Sequence, residues 1–167
     1  GVPSNYKKLR FWRNSSVANL TTGQTASLGI NTLGYEWDYE QPQYASSYPQ
    51  GRITMSSATV IGKTHKLSLY RHSSGALVFG AGTVQWSWGL DGQHWGGSTT
   101  VSPDMQQATV NLFADMGVQA GNIQSGLTQT SLSTDFTAPT ATITSPANGA
   151  TFSVGATINF SGISSDA

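Results

Sequence analysis

Two carboxylates, Glu36 and Asp38, stand two residues apart in the segment Leu33–Asp38. On an extended chain, side chains two apart share a face, and Trp37 lies on the opposite one. Paired carboxylates bind a hard cation or divide the roles of general acid and general base. The neighbouring aromatic residues are expected to desolvate Glu36, and desolvation raises the pKa of a carboxylate. The alternative is a solvated, structural acidic pair at a loop edge beside Glu40.

The three histidines show no short-range metal spacing. His94 is the best candidate for a site, because it follows a predicted strand, although it also fits a turn beside Asp91. His65 and His72 bracket a strand and are assigned no role. The chain has no cysteine, which excludes a thiol nucleophile, a zinc–thiolate site and disulfides. No serine lies in a Gly-x-Ser-x-Gly motif, so a serine hydrolase is disfavoured.

Aromatic residues form a second candidate site. The motif Trp86-Ser87-Trp88-Gly89 places two indoles in three residues, and the long loop Tyr39–Gln50 is rich in Tyr, Gln, Ser and Pro. A ligand-binding platform would be drawn from Trp86, Trp88, Trp95, Tyr44 and Tyr48, with Trp12 and Tyr39 as further members. The alternative is that most of these rings are packing residues of the core and the strand edges.

Strand-like patterns dominate the chain up to residue 90. Two apolar runs, Ala76–Ala81 and Thr83–Trp88, flank Gly82 and predict strands joined by a tight connection. In His65–Arg71, Leu67 and Leu69 alternate with polar residues, which predicts a half-buried strand. Further strands are predicted at Lys8–Arg13, around Ala26–Ile30, at Arg52–Met55 and at Ala58–Ile61. The basic residues Lys7, Lys8, Arg10 and Arg13 are expected to form a solvated strand face.

One helix is well specified by the sequence. Ser102 is a good N-cap, Pro103 suits the first helical position, and Gly117 suits a left-handed C-terminal cap. The apolar positions recur at helical spacing and predict a buried stripe: Met105, Ala108, Leu112, Phe113 and Met116. Strands covered by one amphipathic helix indicate an α/β or α+β fold, made mostly of β-strands.

The composition changes after residue 118. Residues 119–137 are rich in Gly, Gln, Ser and Thr and are interpreted as a linker. Residues 138–167 contain Thr-Ser-Pro-Ala-Asn-Gly and resemble the start of bacterial Ig-like repeats, with runs at Thr151–Val154 and Thr157–Phe160. Because a complete sandwich takes about 100 residues, this segment is interpreted as a truncated Ig-like domain. Residues 1–118 then form the main domain.

Composition restricts the partners. The 167-residue chain has eight basic and eight acidic residues and only 10% charged residues, which disfavours nucleic acid as a partner. No apolar run reaches the roughly 18 residues needed to span a bilayer, so membrane insertion is not expected. Abundant Ser, Thr, Gly, Gln and Asn are typical of secreted or cell-surface bacterial proteins. The chain opens within a pattern at Gly1-Val2-Pro3, as an excised piece of a larger protein would.

Three segments resemble the C-terminal part of the large-subunit domain of N,N-dimethylformamidase and its relatives in secreted multidomain bacterial proteins: Leu33–Asp38, His65–Arg71 and Gly75–Trp88. The helix Met105–Met116 matches the closing helix of that family, so the resemblance covers about residues 5–120. It implies a fold related to the class I amidotransferases. It also implies hydrolysis of an amide C–N bond by a mononuclear iron that is held largely by tyrosines and a carboxylate.

Within that resemblance, Glu36 matches a Gly-aromatic-Glu segment and is implied as an active-site carboxylate, either a metal ligand or an acid–base group. Asp38 and His94 are weaker candidates. The tyrosine ligands of the family would lie before residue 1, so this fragment is expected to hold no metal and to be inactive alone. The rival hypothesis is a non-catalytic surface module that contacts glycan or protein. Expected partners are the rest of the parent chain, a glycan, or a second copy that pairs with exposed strands.

Overall fold

The computed structural model describes residues 1–135 and 137–166. The chain divides into two compact units, Gly1–Leu132 and Ser133–Ala167. The described residues contain short antiparallel sheets, 3₁₀ helices and one α-helix. This combination is an α+β fold. Phe136 and Ala167, which fall in the predicted linker and the predicted Ig-like segment, lie outside the described residues. The described part contains no helix that is both long and apolar enough to cross a bilayer.

The centre of the first unit is a three-stranded antiparallel sheet in the order β3-β4-β5. Strand β3 spans Ile53–Val60, β4 spans Lys63–Arg71 and β5 spans Leu77–Gly80. The prediction of two separate strands at residues 52–55 and 58–61 is wrong, because one strand runs through both with an irregularity between Thr54 and Ser56. The strand predicted at residues 65–71 is confirmed.

The second run after Gly82 is not a strand. Residues 82–84 form only an isolated β-bridge, between Thr83 and Trp37. Trp86–Gly89 then forms a 3₁₀ helix. The two indoles therefore separate, whereas side chains two residues apart on a strand would point the same way. Trp86 packs edge-on against Phe79 with ring centroids 5.5 Å apart, whereas Trp88 stacks on His94. Strand alternation failed here because the turn is held by its own hydrogen bonds, such as Trp88 N to Gln85 O.

Helix α1, Pro103–Asp115, begins and ends as predicted. The Ser102 hydroxyl accepts a hydrogen bond from Met105 N, and Gly117 has a φ of +80°. Three residues of the predicted stripe are buried, but Phe113 and Met116 are exposed. Asn111 takes a buried position instead, because its amide donates to the carbonyl oxygens of residues 11 and 13 at 2.9 and 2.7 Å.

The strand predicted at residues 8–13 is also wrong. The chain there forms a 3₁₀ helix, Arg10–Trp12, which buries Phe11 and Trp12 together against α1 and the sheet. The basic residues are not a free solvated face, since Arg10 and Arg13 both pair with Asp115 at 2.8 Å. This anchors the N-terminal segment to the end of the helix.

Short pairings complete the first unit. Strand β1, Val2–Pro3, pairs with β2, Thr25–Ala26, which is all that forms of the strand predicted around residues 26–30. Strands β6, Gln93–His94, and β7, Gly97–Ser98, form a small hairpin. Residues up to 132 belong to this unit, and Gln107 of α1 binds both backbone polar groups of Thr128. The ordered contacts thus continue into the segment interpreted as a linker.

The second unit contains β8, Thr140–Ser145, paired antiparallel with β9, Ser161–Ser165. The strands predicted at residues 151–154 and 157–160 are not formed. The predicted Asn-Gly turn has Gly149 at a φ of +81°. Both strands are exposed along their whole length. The Ig-like interpretation of this unit stays a prediction.

Candidate functional site

The acidic segment 36–38 is held in place by a neighbouring loop. Asp38 N donates to Gly82 O at 2.8 Å, and Val84 N donates to Glu36 O at 3.2 Å. The loop is fixed in turn, because the Thr83 hydroxyl donates to Thr32 O at 3.0 Å. Glu36 and Asp38 are exposed, and Trp37, which lies between them in sequence, is half-buried.

The expected desolvation of Glu36 is wrong. Glu36 is exposed, and the preceding Tyr35 is itself 73% exposed and does not shield it. Both carboxylates open onto a pocket of about 720 Å³. Its wall includes, besides the segment 35–39, the residues Ile61, Lys63, Gly82, Thr83 and Val84. We call this the acidic pocket.

Strain lies at one edge of the acidic pocket. Ile61, in the turn between β3 and β4, has a φ of +49° and is 93% exposed. A β-branched residue is rarely found in this left-handed region. Lys63 follows it and places its ammonium 4.2 Å from the ring centroid of Tyr39, a cation–π contact. A positive charge therefore lies in the same wall as the two carboxylates.

His65 lies beneath this segment and was missed from the sequence. It is 6% exposed, and its Nε2 donates to Ala81 O at 2.9 Å. A Cβ on Gly82, whose φ is +62°, would come within 2.9 Å of that nitrogen. His65 thus supports the loop that holds residues 36–38. The signal was the spacing of His65, Leu67 and Leu69, which lie two residues apart and therefore share the inward face of β4.

Burial lowers the pKa of His65, although its hydrogen bond to Ala81 and the Asp38 carboxylate both act to raise it. As the pH falls, His65 is therefore protonated in the unfolded chain before it is protonated in the folded chain. The free energy of unfolding should therefore begin to fall as the pH drops below about 6.5, the usual histidine pKa. Below about pH 4.3 a second loss follows from Glu40, whose pKa is lowered mainly by its hydrogen bond with Lys66.

We expect His65→Gln to flatten the pH dependence of unfolding between about pH 7 and pH 5. Urea unfolding of both proteins at several pH values measures this. The matched control is His72→Gln, because His72 is exposed. An unchanged slope in His65→Gln, or a slope lost equally in the control, would contradict the assignment.

A second pocket, of about 370 Å³, adjoins the acidic pocket and shares Asp38, Tyr39 and Gly82 with it. Glu40 lies in its wall and pairs with both Arg52 and Lys66. Glu40 is therefore a paired structural carboxylate rather than a free member of the acidic segment. Two predicted binding residues, Tyr44 and Tyr48, line this second pocket.

The predicted tryptophans do not gather at one site. Trp86 lies in the wall of a third pocket with His65, and it packs against the core. Trp88 and His94 stack with ring centroids 3.8 Å apart, and His94 Nε2 contacts the Thr99 hydroxyl at 3.1 Å. Trp95, in the turn between β6 and β7, is 87% exposed. None of these three residues, Trp88, His94 and Trp95, lines the three pockets described.

Acidic and imidazole side chains do not cluster into a metal site in the part of the chain that the structure describes. Residues 1–135 and 137–166 contain no group of three or more His, Asp or Glu that could hold an ion. Within the same residues, every buried side-chain nitrogen or oxygen has a hydrogen-bond partner, so no unpaired buried atom marks a ligand site. The hydroxyl of Tyr48 is bound by Gln41 N. Of the two predicted ligands, Glu36 lines the acidic pocket and His94 does not.

The site is thus an exposed pair of carboxylates on a fixed edge of an α+β domain. Residues 2–101, more than half of the chain, match the family described as N,N-dimethylformamidase beta subunit-like, C-terminal. The chain belongs to this family, as the sequence motifs indicated. No curated protein and no solved structure matches it.

Proposed function

We propose that this chain is a piece of a secreted bacterial multidomain protein whose main domain hydrolyses an amide C–N bond. In this proposal, unit Gly1–Leu132 supplies one wall of the active site. The observation that carries the proposal is the geometry of residues 36–38: two exposed carboxylates on a hydrogen-bonded edge, facing a pocket of about 720 Å³. Membership of the dimethylformamidase-related family supports the choice of an amide as substrate.

The chemistry assigned to Glu36 follows from its exposure. In amide hydrolysis a water oxygen attacks the carbonyl carbon, the C–N bond breaks, and the amine leaves with a proton. A fixed carboxylate can take the proton from the attacking water and pass it to the departing nitrogen. Backbone hydrogen bonds to residues 82–84 hold the segment 36–38, so the position from which the Glu36 side chain extends is fixed. Asp38 has a secondary role at the same pocket.

The iron implied by the family resemblance would be held mainly by tyrosines outside residues 1–167. Glu36 is the carboxylate of this chain that we assign to that centre, as a ligand or as the acid–base group beside it. The class I amidotransferase-like fold is likewise proposed for the intact domain. Residues 138–167 are proposed as the start of an Ig-like module.

Comparison of the parent protein with the 167-residue chain tests this division of labour. We expect the parent to hydrolyse N,N-dimethylformamide or a related amide, measured as amine released, and the chain alone to show no turnover. Hydrolysis by the chain alone would contradict the shared site. A parent that is also inactive on every amide tested would contradict the hydrolase proposal.

The second candidate function is a non-catalytic surface module that contacts a glycan or another protein. The observation that favours it is Trp95, an indole 87% exposed between the two strands of a hairpin. Exposed tryptophan is enriched in binding surfaces because it offers a large apolar face with a polar edge. Loss of partner binding in Trp95→Ala, in a parent without amidase activity, would favour this function.

A further inference from the structure

The second pocket lies on the outer face of the three-stranded sheet. Its floor comes from Lys66, Ser68 and Tyr70, which alternate along β4 with the buried residues of the core. Register pairs Ser68 with Gly80 and Tyr70 with Val78, so β5 continues the same face. The loop Asp38–Pro49 forms the opposite wall. We call this the tyrosine pocket, because Tyr39, Tyr44, Tyr48 and Tyr70 all line it.

The loop wall is held in its shape by its own contacts. The Tyr48 hydroxyl accepts from Gln41 N at 2.9 Å and donates to Gln41 O at 3.3 Å, which closes the loop on itself. The guanidinium of Arg52 lies 4.4 Å from the ring centroid of Tyr48. Arg52 also pairs with Glu40, which Lys66 contacts at 2.7 Å. The pocket is therefore formed before any ligand enters it.

The charges of the tyrosine pocket balance. Asp38 and Glu40 offset Arg52 and Lys66, so no net charge selects an ionic ligand. The wall presents carboxylate acceptors, cationic donors, an amide from Gln41 and a hydroxyl from Ser68. A neutral ligand that both donates and accepts many hydrogen bonds suits this set.

Aromatic faces complete the chemistry. Tyr44 is 56% exposed and lines the pocket, so its ring is open to a ligand. The C–H faces of a sugar ring pack on such rings, while its hydroxyls reach the polar groups around them. The volume of about 370 Å³ lies within the range of roughly 300–1,000 Å³ that is usual for small-molecule sites.

We propose that the tyrosine pocket binds a neutral saccharide. The inference concerns a pocket next to the one assigned to amide hydrolysis and does not depend on that activity. In a parent with both sites, the saccharide would be held beside the acidic pocket, since Asp38 and Tyr39 line both.

Titration calorimetry of the 167-residue chain tests the proposal with three neutral probes: cellohexaose, maltohexaose and the hexamer of N-acetylglucosamine. We expect at least one to bind, and Tyr44→Ala to weaken that binding by about tenfold or more. Phe113→Ala is the matched control and should leave the Kd unchanged within about twofold. It removes an exposed ring that does not line the pocket.

A second variant covers failure of Tyr44→Ala to fold, which circular dichroism detects. Ser68→Phe places a large ring in the pocket from the outer face of β4 and should therefore abolish binding. The variant should still fold, because Ser68 is not among the buried core residues. No binding of any probe at millimolar concentration would overturn the proposal. So would binding that persists in the folded pocket variants, or binding that Phe113→Ala weakens. None of these outcomes bears on Glu36 or on amide hydrolysis.

Discussion

Replacement of Trp12 by alanine is expected to lower the free energy of unfolding of the first unit by about 3–5 kcal/mol. Trp12 is fully buried, packs edge-on against Phe11 with centroids 4.7 Å apart, and donates from Nε1 to Met55 O at 2.9 Å. The change removes a large core side chain and also leaves a buried carbonyl without its donor. Urea unfolding followed by circular dichroism measures it.

The matched control for Trp12→Ala is Trp95→Ala, because Trp95 is 87% exposed. It should change the free energy of unfolding by no more than about 0.5 kcal/mol. Trp12→Phe, which keeps an aromatic ring but loses the donor, should fall between the two. A loss below about 1 kcal/mol in Trp12→Ala would show that Trp12 does not join the N-terminal segment to the sheet.

Replacement of Glu36 by glutamine in the parent protein is expected to reduce kcat for amide hydrolysis by about 10²–10⁴-fold. Glutamine keeps the size of the side chain but neither takes up a proton nor binds iron as a carboxylate does. Stability should change little, because Glu36 is exposed and its backbone hydrogen bond with Val84 does not depend on the side chain.

Asp91→Asn is the matched control for Glu36→Gln. Asp91 is an exposed carboxylate that does not line the acidic pocket, and its Oδ1 accepts from Gln93 N at 2.9 Å. The amide oxygen of asparagine can keep that contact. A control that lost as much activity as Glu36→Gln would show that the loss does not report on the pocket.

The parts of the fold that were predictable from the sequence are those determined by local chemistry. Helix α1 begins at a Ser-Pro pair and ends at a glycine, and both signals act within one turn. Strand β4 was recognisable because Leu67 alternates with polar residues.

The parts that were missed depend on contacts distant in sequence. Residues 10–12 alternate like a strand, but Trp12 reaches Met55 and Arg13 reaches Asp115, and these contacts favour a 3₁₀ turn. The pairing of Glu40 was not predictable, because its partners, Arg52 and Lys66, lie 12 or more residues away. No local pattern shows which distant residue will neutralise a charge.

The candidate site was only partly predictable, because it too depends on contacts between residues distant in sequence. The sequence placed the two carboxylates together, but their exposure depends on what covers residues 35–38, which a local pattern does not show. Tyr44 and Tyr48 were singled out as binding residues from composition alone. That they line one pocket with Tyr70 follows only from the packing of their loop on the outer face of the sheet.

The measurement that tests the hydrolase proposal most directly is metal analysis combined with an amidase assay on the same preparations of the parent protein and its Glu36→Gln variant. We expect an active parent and a variant that loses activity. A parallel loss of stoichiometric iron or zinc would make Glu36 a ligand, whereas retained metal would make it the acid–base group. Equal activity and equal metal content in the two proteins would contradict the assignment of Glu36 to the active site.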